Sequence, residues 1–217
     1  MATDTEIKQR ITEKARDWFY QYGFSKVTMD ELAAELGMSK KTLYKYFTSK
    51  EQLLWEIYKI TTDDFKSSAE NIYADAKTDF VDKLALVLQK NCNTTSQWSK
   101  TFLTDIQKHA RDIWEEVEKF RQESIMGRFG KFFSEGVAKG FFRNDIDQNL
   151  TLIIYTKMIQ GLINPDVLSQ IPYSAAQVYD AIIKIVYEGV LTDAGREQYR
   201  AKLKENADIP AAALNLQ

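Results

Sequence analysis

Thr28-Met-Asp-Glu-Leu-Ala-Ala-Glu-Leu-Gly-Met-Ser-Lys-Lys-Thr-Leu-Tyr-Lys-Tyr-Phe-Thr-Ser-Lys50 reads as two short helices meeting at Gly37. Thr28 is an N-cap residue, Glu31 three positions on completes a capping box, and Val27 and Leu32 stand where a hydrophobic staple forms. Met29, Leu32, Ala33 and Leu36 then recur at helical spacing as one apolar stripe. Gly37 supplies the left-handed residue that ends a helix, and Ser39 caps the next one. A glycine-containing connection this short suits a helix-turn-helix. On the second helix Leu43 and Phe47 share one side, while Lys41, Thr42, Tyr44, Lys45 and Thr48 point away from it.

Charge is segregated on this hairpin. Between Leu36 and Lys50 stand Lys40, Lys41, Lys45 and Lys50 with no acidic residue, in a chain of net charge −2. A concentrated positive face meets polyanions, because lysines near phosphates release condensed counterions.

The run from Gly37 to Leu54, with Tyr22-Gly23-Phe24 and Thr28 before it, resembles the DNA-binding domain of the TetR family of bacterial transcriptional regulators. The resemblance implies that Thr28, Ser39, Tyr44, Tyr46 and Lys50 hold phosphates of double-stranded DNA, and that Lys40, Lys41, Thr42 and Lys45 face the major groove. Hydroxyls and ammonium groups suit phosphate oxygens, whereas a lysine reaches guanine O6 and N7 and a threonine a thymine methyl. Tyr46 often has a histidine counterpart in that family, and Lys41 frequently a small residue, which leaves base contacts open.

Composition bounds the remainder. The chain has 217 residues, 44% hydrophobic and 28% charged, enough for a sizeable core and a small head. Three prolines and nine glycines favour long helices, and no useful strand alternation is present. The expected fold is all-α: a three-helix head followed by a larger helical effector-binding and dimerisation domain of about nine helices. The expected domains are residues 1–50 and 51–217. Acids near the N-terminus argue against a signal peptide, and the longest apolar stretch, residues 150–159, is interrupted by Lys157, so no membrane association and a cytoplasmic protein are expected, nucleoid-associated when bound to DNA. One cysteine, Cys92, and one histidine offer neither a disulfide nor a metal cluster, and no cofactor is expected.

A first helix is expected over residues 5–22, with Ile11, Ala15, Trp18, Phe19 and Tyr22 inward, and another opens at Ser49 and continues past Phe65 as a lever. Further helices are expected over 79–92, 100–111, 112–139, 148–163 and 174–191, then a short helix and frayed tail to residue 217. The last two long helices are apolar on more than one side, which calls for two neighbours. One is the same domain and the other a second subunit, with Ile154, Met158, Gly161, Ile182, Val186 and Gly189 at the interface of a homodimer. Regulators of this family pair in that manner.

By the same resemblance the middle of the chain forms the pocket of an unknown small-molecule effector. Trp98, Phe102, His109 and Trp114 are its candidates, although aromatics at helical spacing read equally as core, and His109 reads also as a surface or cap residue. No paired carboxylates, phosphate loop or nucleophile with a base partner is visible, so no catalysis is expected. The functional expectation is a ligand-responsive repressor that binds a palindromic operator as a homodimer and leaves it when an effector binds. An activator or partner-controlled regulator of the same fold, or a helical enzyme with an incidental helix-turn-helix, are the alternatives. Lys50→Ala is expected to flatten the salt dependence of binding by about one unit of slope.

Overall fold

The computed structural model describes residues 3–205, with side chains through residue 202. Its helices are α1 (Asp4–Tyr22), α2 (Met29–Glu35), α3 (Lys40–Tyr46), α4 (Lys50–Ala74), α5 (Phe80–Ser96), α6 (Lys100–His109), α7 (Arg111–Glu123), a π-helical segment (Ser124–Phe129), α8 (Gly130–Ala138), α9 (Gln148–Leu162), α10 (Pro165–Leu168), α11 (Ala175–Val190) and α12 (Asp193–Glu205). Among the described residues the fold is all-α, with no strand and one isolated antiparallel bridge between Phe142 and Leu191. No helix among them is long and apolar enough to cross a membrane. The tail expected after α12, residues 206–217, lies outside the described residues.

Two compact units form. The first contains residues up to Lys66 together with Gln97–Glu116, so α6 joins α1 to α3 and the first part of α4. Its core is made by Ile11, Ala15 and Phe19 of α1, Leu32 of α2, Leu43 of α3, Phe47, and Leu53, Leu54 and Ile57 of α4. Helix α1 starts one residue earlier than its pattern suggests because Thr3 and Glu6 form a capping box. Tyr22, expected inward, is 48% exposed. Its edge faces Trp18 on the outer side, and the inward ring is Tyr20, which packs on Phe102 of α6.

The second unit contains Ser67–Ser96 and the residues from Val117 onward. Its centre is aromatic: Phe132 stacks between Tyr73 and Phe80, Phe133 stacks on Phe142, and Phe129 contacts Tyr155 and Tyr187. Gly136 allows this, since a Cβ there would collide with Phe142 and Phe80. The run expected as one helix over 112–139 is continuous from Arg111 to Ala138 but contains the π-helical segment, a six-residue change of period that a 3.6-residue pattern does not reveal. Within the Gly127-Arg-Phe-Gly130 stretch, Gly130 makes the close approach, to Leu152 of α9, while Gly127 has open space.

Helices α9 and α11 pack together and leave an apolar face uncovered. Ile154 is 50% exposed and Ile185 66%, and Leu150, Ile153 and Leu162 are exposed beside them. Gly161 and Gly189 are exposed, and Met158 and Val186 are half-buried. Ile182 corrects the expected set. At 1% exposure it points into the core of its own unit, and Ile185, nearly one turn on, takes the outward position.

Candidate nucleic-acid interface

The two helices of the hairpin are held by local chemistry. Thr28 Oγ1 accepts from the Glu31 amide at 3.2 Å, and Glu31 returns its carboxylate to the Thr28 amide at 2.9 Å. The Thr28 hydroxyl, which also donates to this carboxylate at 2.7 Å, and the Thr28 amide hold the Glu31 carboxyl below the usual carboxylate range. At the far end of α2, Gly37 has φ 64, Met38 N donates to Ala33 O and Gly37 N to Ala34 O. This pair of bonds is the Schellman arrangement, which satisfies the last carbonyls and turns the chain. Ser39 Oγ accepts from Thr42 N at 3.0 Å and starts α3. Leu43 and Phe47 are buried, which turns Lys40, Lys41, Thr42, Tyr44 and Lys45 outward to exposed positions.

The exposed groups differ in what they already touch. Lys41 has no carboxylate partner among the described residues, and Tyr44 is 45% exposed. Lys45 lies over the Tyr46 ring, 5.5 Å from its centroid. The Thr42 and Ser39 hydroxyls share a hydrogen bond at 2.8 Å. Lys40 pairs with Asp30 of α2, both side chains being more than half exposed. Tyr46 donates to Asp4 of α1 at 2.7 Å, and this bond raises the phenol pKa. Asp30 and Asp4 thus give these two side chains anionic partners within the protein.

Lys50 differs from the rest. Its ammonium donates to three backbone carbonyls of the α1–α2 connection, Phe24 at 2.8 Å, Val27 at 3.0 Å and Ser25 at 3.3 Å. An ammonium has three donors. In this conformation all of them are engaged with protein, and burial lowers the pKa while the nearby Glu51 and Asp105 carboxylates favour the cation. The same connection is also held by α6. Asp105 accepts from Ser25 N at 2.9 Å and from Ser25 Oγ at 2.7 Å. Asp105, Asp30 and Asp4 escaped the sequence reading because their partners are 80, 10 and 42 positions away.

The four effector candidates have different surroundings. All lie in the first unit. Phe102 is buried on Tyr20, Trp98 lies beside the Tyr20 hydroxyl, Trp114 is buried, and His109 is exposed in the last turn of α6, the alternative surface position. Cys92 is half-buried, and burial pushes its thiol pKa up, away from a reactive thiolate.

Residues 11–57 match the family model described as bacterial regulatory proteins, tetR family. Over 187 residues, 86% of this chain and 97% of the relative, the protein is 25% identical to the "Uncharacterized HTH-type transcriptional regulator YvaF" of Bacillus subtilis (strain 168). A TetR-family transcriptional regulator from Marinobacter aquaeolei VT8 shares the fold with a TM-score of 0.66 at 14% identity, covering 94% of this chain and 98% of the other. A regulator from Saccharomonospora viridis, solved in complex with choline, does so with a TM-score of 0.62 at 18% identity, covering 87% and 100%. With its capped helix-turn-helix and basic outward face, the segment matched by the tetR-family model is a helix-turn-helix DNA-binding head, and the chain is similar over most of its length to an HTH-type transcriptional regulator.

Proposed function

We propose that the protein is a homodimeric repressor that occupies a near-palindromic operator and releases it when a small molecule binds the second unit. The observation that carries this reading is the outward face of α3, where Lys41, Thr42, Tyr44 and Lys45 are exposed while Leu43 and Phe47 anchor the helix from behind. In this reading residues 1–50 contact DNA and residues 51–217 serve ligand binding and dimerisation. Lys41 and Thr42 read base edges, and Thr28, Ser39, Tyr44 and Tyr46 position the phosphates.

The uncovered apolar face of α9 and α11 supports pairing of two chains, and two recognition helices spaced about 34–36 Å apart would read successive turns of one DNA face. An effector acts by favouring the conformer whose heads are wrongly spaced, and its effect is bounded by its differential affinity for the two conformers.

Selection of bound sequences from random duplex DNA tests the reading. The expected product is an inverted repeat, and Lys41→Ala should change the preferred base at one position in each half. Recovery of the same motif with Lys41→Ala would remove that residue from base recognition. Repression is tested by transcription in vitro from a promoter overlapping the selected operator, where stimulation by the protein would show an activator instead.

A further inference from the structure

Arg128 sits on the π-helical segment of the second unit. Its Nη2 donates to Ser124 Oγ at 2.7 Å, and its guanidinium carbon lies 5.6 Å from the centroid of the Phe120 ring. The Nε is sealed from solvent and has no hydrogen-bond partner, and no carboxylate pairs with the side chain among the described residues. Other arginines of this unit are treated differently: Arg121 pairs with Glu118, and Arg196 with Glu188 and Asp193. A guanidinium turned partly inward without an anion is costly, and an orphaned buried donor calls for an explanation. Short π-helical segments are frequent at functional sites.

The surroundings suit a ligand with an apolar body. Tyr73, Phe120, Ser124 and Phe129 are each partly exposed, as is Arg128, so the cluster borders solvent. Behind them are buried rings: Tyr155, 5.7 Å from Phe129, and Phe132, stacked on Tyr73. The Tyr155 and Tyr179 hydroxyls lie 3.5 Å apart and offer polar contact deeper in the unit. The Arg128 cation is near enough to Tyr73 to favour its phenolate, although burial outweighs this and pushes that phenol up to about 12.

We propose that Arg128 is the anion-recognition group of the effector site, taking the carboxylate of an amphipathic organic acid whose apolar body lies against Tyr73, Phe129 and Tyr155. This rests on the reading that the second unit binds the effector. A single planar guanidinium fits one planar carboxylate in bidentate fashion, and a small shift of the side chain would bring the unpartnered Nε to the ligand as one of the donors of a side-on fork. The same charge disfavours a cationic ligand.

The test uses the full-length protein and three matched probes, 4-phenylbutanoate, its neutral amide, and the corresponding phenylbutyl trimethylammonium, with binding read by calorimetry. Wild type should bind the carboxylate about tenfold or more tighter than the amide, as expected for a charged hydrogen bond, and the cation weakest. Arg128→Met should abolish the preference while the ligand-free protein melts within about 3 °C of wild type. If Arg128→Met does not fold, Arg128→Lys decides, since it retains the charge and loses the fork: most of the preference should disappear. Equal binding of carboxylate and amide by wild type, a preference retained by the variants, or no carboxylate binding would each overturn the proposal. Operator binding by the ligand-free variant is measured separately by fluorescence anisotropy, so failure to bind DNA counts against the repressor reading and not against Arg128.

Discussion

The Lys50 ammonium donates to the Phe24 carbonyl at 2.8 Å and lies 4.4 Å from the centroid of the same residue's ring. With the Ser25 and Val27 carbonyls also accepting, the first residue of α4 fastens the connection that leads into the helix-turn-helix. The geometry makes Lys50 a positioning residue for that connection. Lys50→Ala should lower stability by about 1–2 kcal/mol, the range for charged hydrogen bonds discounted for partial exposure. It should weaken DNA binding with little change in salt slope. A slope reduced by about one unit, measured by anisotropy titration at several salt concentrations, would instead return Lys50 to the phosphate contact that the family resemblance implies.

Gly23 and Gly37 both have positive φ, 96 and 64, but their surroundings differ. A Cβ at Gly23 would lie 2.5 Å from Asp105 Oδ2 and 2.9 Å from Thr101 Cγ2, whereas one at Gly37 meets nothing within 4 Å. Gly37→Ala should therefore cost about 1–2 kcal/mol of backbone strain. Gly23→Ala should cost more, because it also pushes α6 away from Ser25. Thermal melts of the two variants compare them directly, and an equal loss would mean that the Asp105 contact is soft.

What was legible in the sequence was local. The capping box at Thr28, the N-cap at Ser39 and the glycine turn of the hairpin close within five residues, and the buried positions of α2 and α3 follow from helical spacing, so Thr28, Ser39, Gly37, Leu43 and Phe47 have the roles their pattern implies. The partners of Lys40, Tyr46 and Lys50 come from other helices or from a distant connection, and spacing does not encode them. Tyr22 was misplaced for a related reason, since the docking of α6 on α1 makes Tyr20 the inward ring. In the second unit the π-helical segment shifts the helical phase, which hides Arg128 from a pattern of period 3.6.

The ion pair between Lys40 and Asp30 joins two exposed side chains, so it contributes little to stability and is screened by salt. Its effect should appear in binding. Asp30→Asn removes the competing anion, and DNA affinity should rise several-fold at low salt, with the gain shrinking as salt increases. Unchanged or weaker binding by anisotropy would place Lys40 away from the DNA.

The tyrosines of the second unit make stability sensitive to alkali. Burial raises the Tyr155 and Tyr73 phenols to about 12, with Tyr179, Tyr187 and Tyr199 also raised. A folded-state pKa above the unfolded value near 10 means that the native state holds these protons more tightly. The associated stability is complete below pH 10 and is lost as pH rises from 10 to 12. Denaturant titrations across that window should show a falling unfolding free energy, while absorbance at 295 nm shows tyrosinate appearing together with loss of helicity. Tyrosinate formation complete by pH 11 in still-folded protein would contradict the buried placement.

The apolar face of α9 and α11 supplies the last expectation. Ile154 and Ile185 are at least half exposed, whereas Ile182 on the same helix as Ile185 is enclosed. A charge on the outward residues should leave the unit folded and abolish pairing, because it places an unpaired carboxylate in a desolvated interface. Ile154→Glu combined with Ile185→Glu should retain the helical circular dichroism of wild type, halve the mass seen by light scattering, and reduce affinity for an inverted repeat far more than for a single half-site. Ile182→Glu should behave oppositely and unfold the second unit before it affects association. A double variant that stays dimeric would show that this face does not join the subunits, and the spacing of the two heads would then have to be set elsewhere.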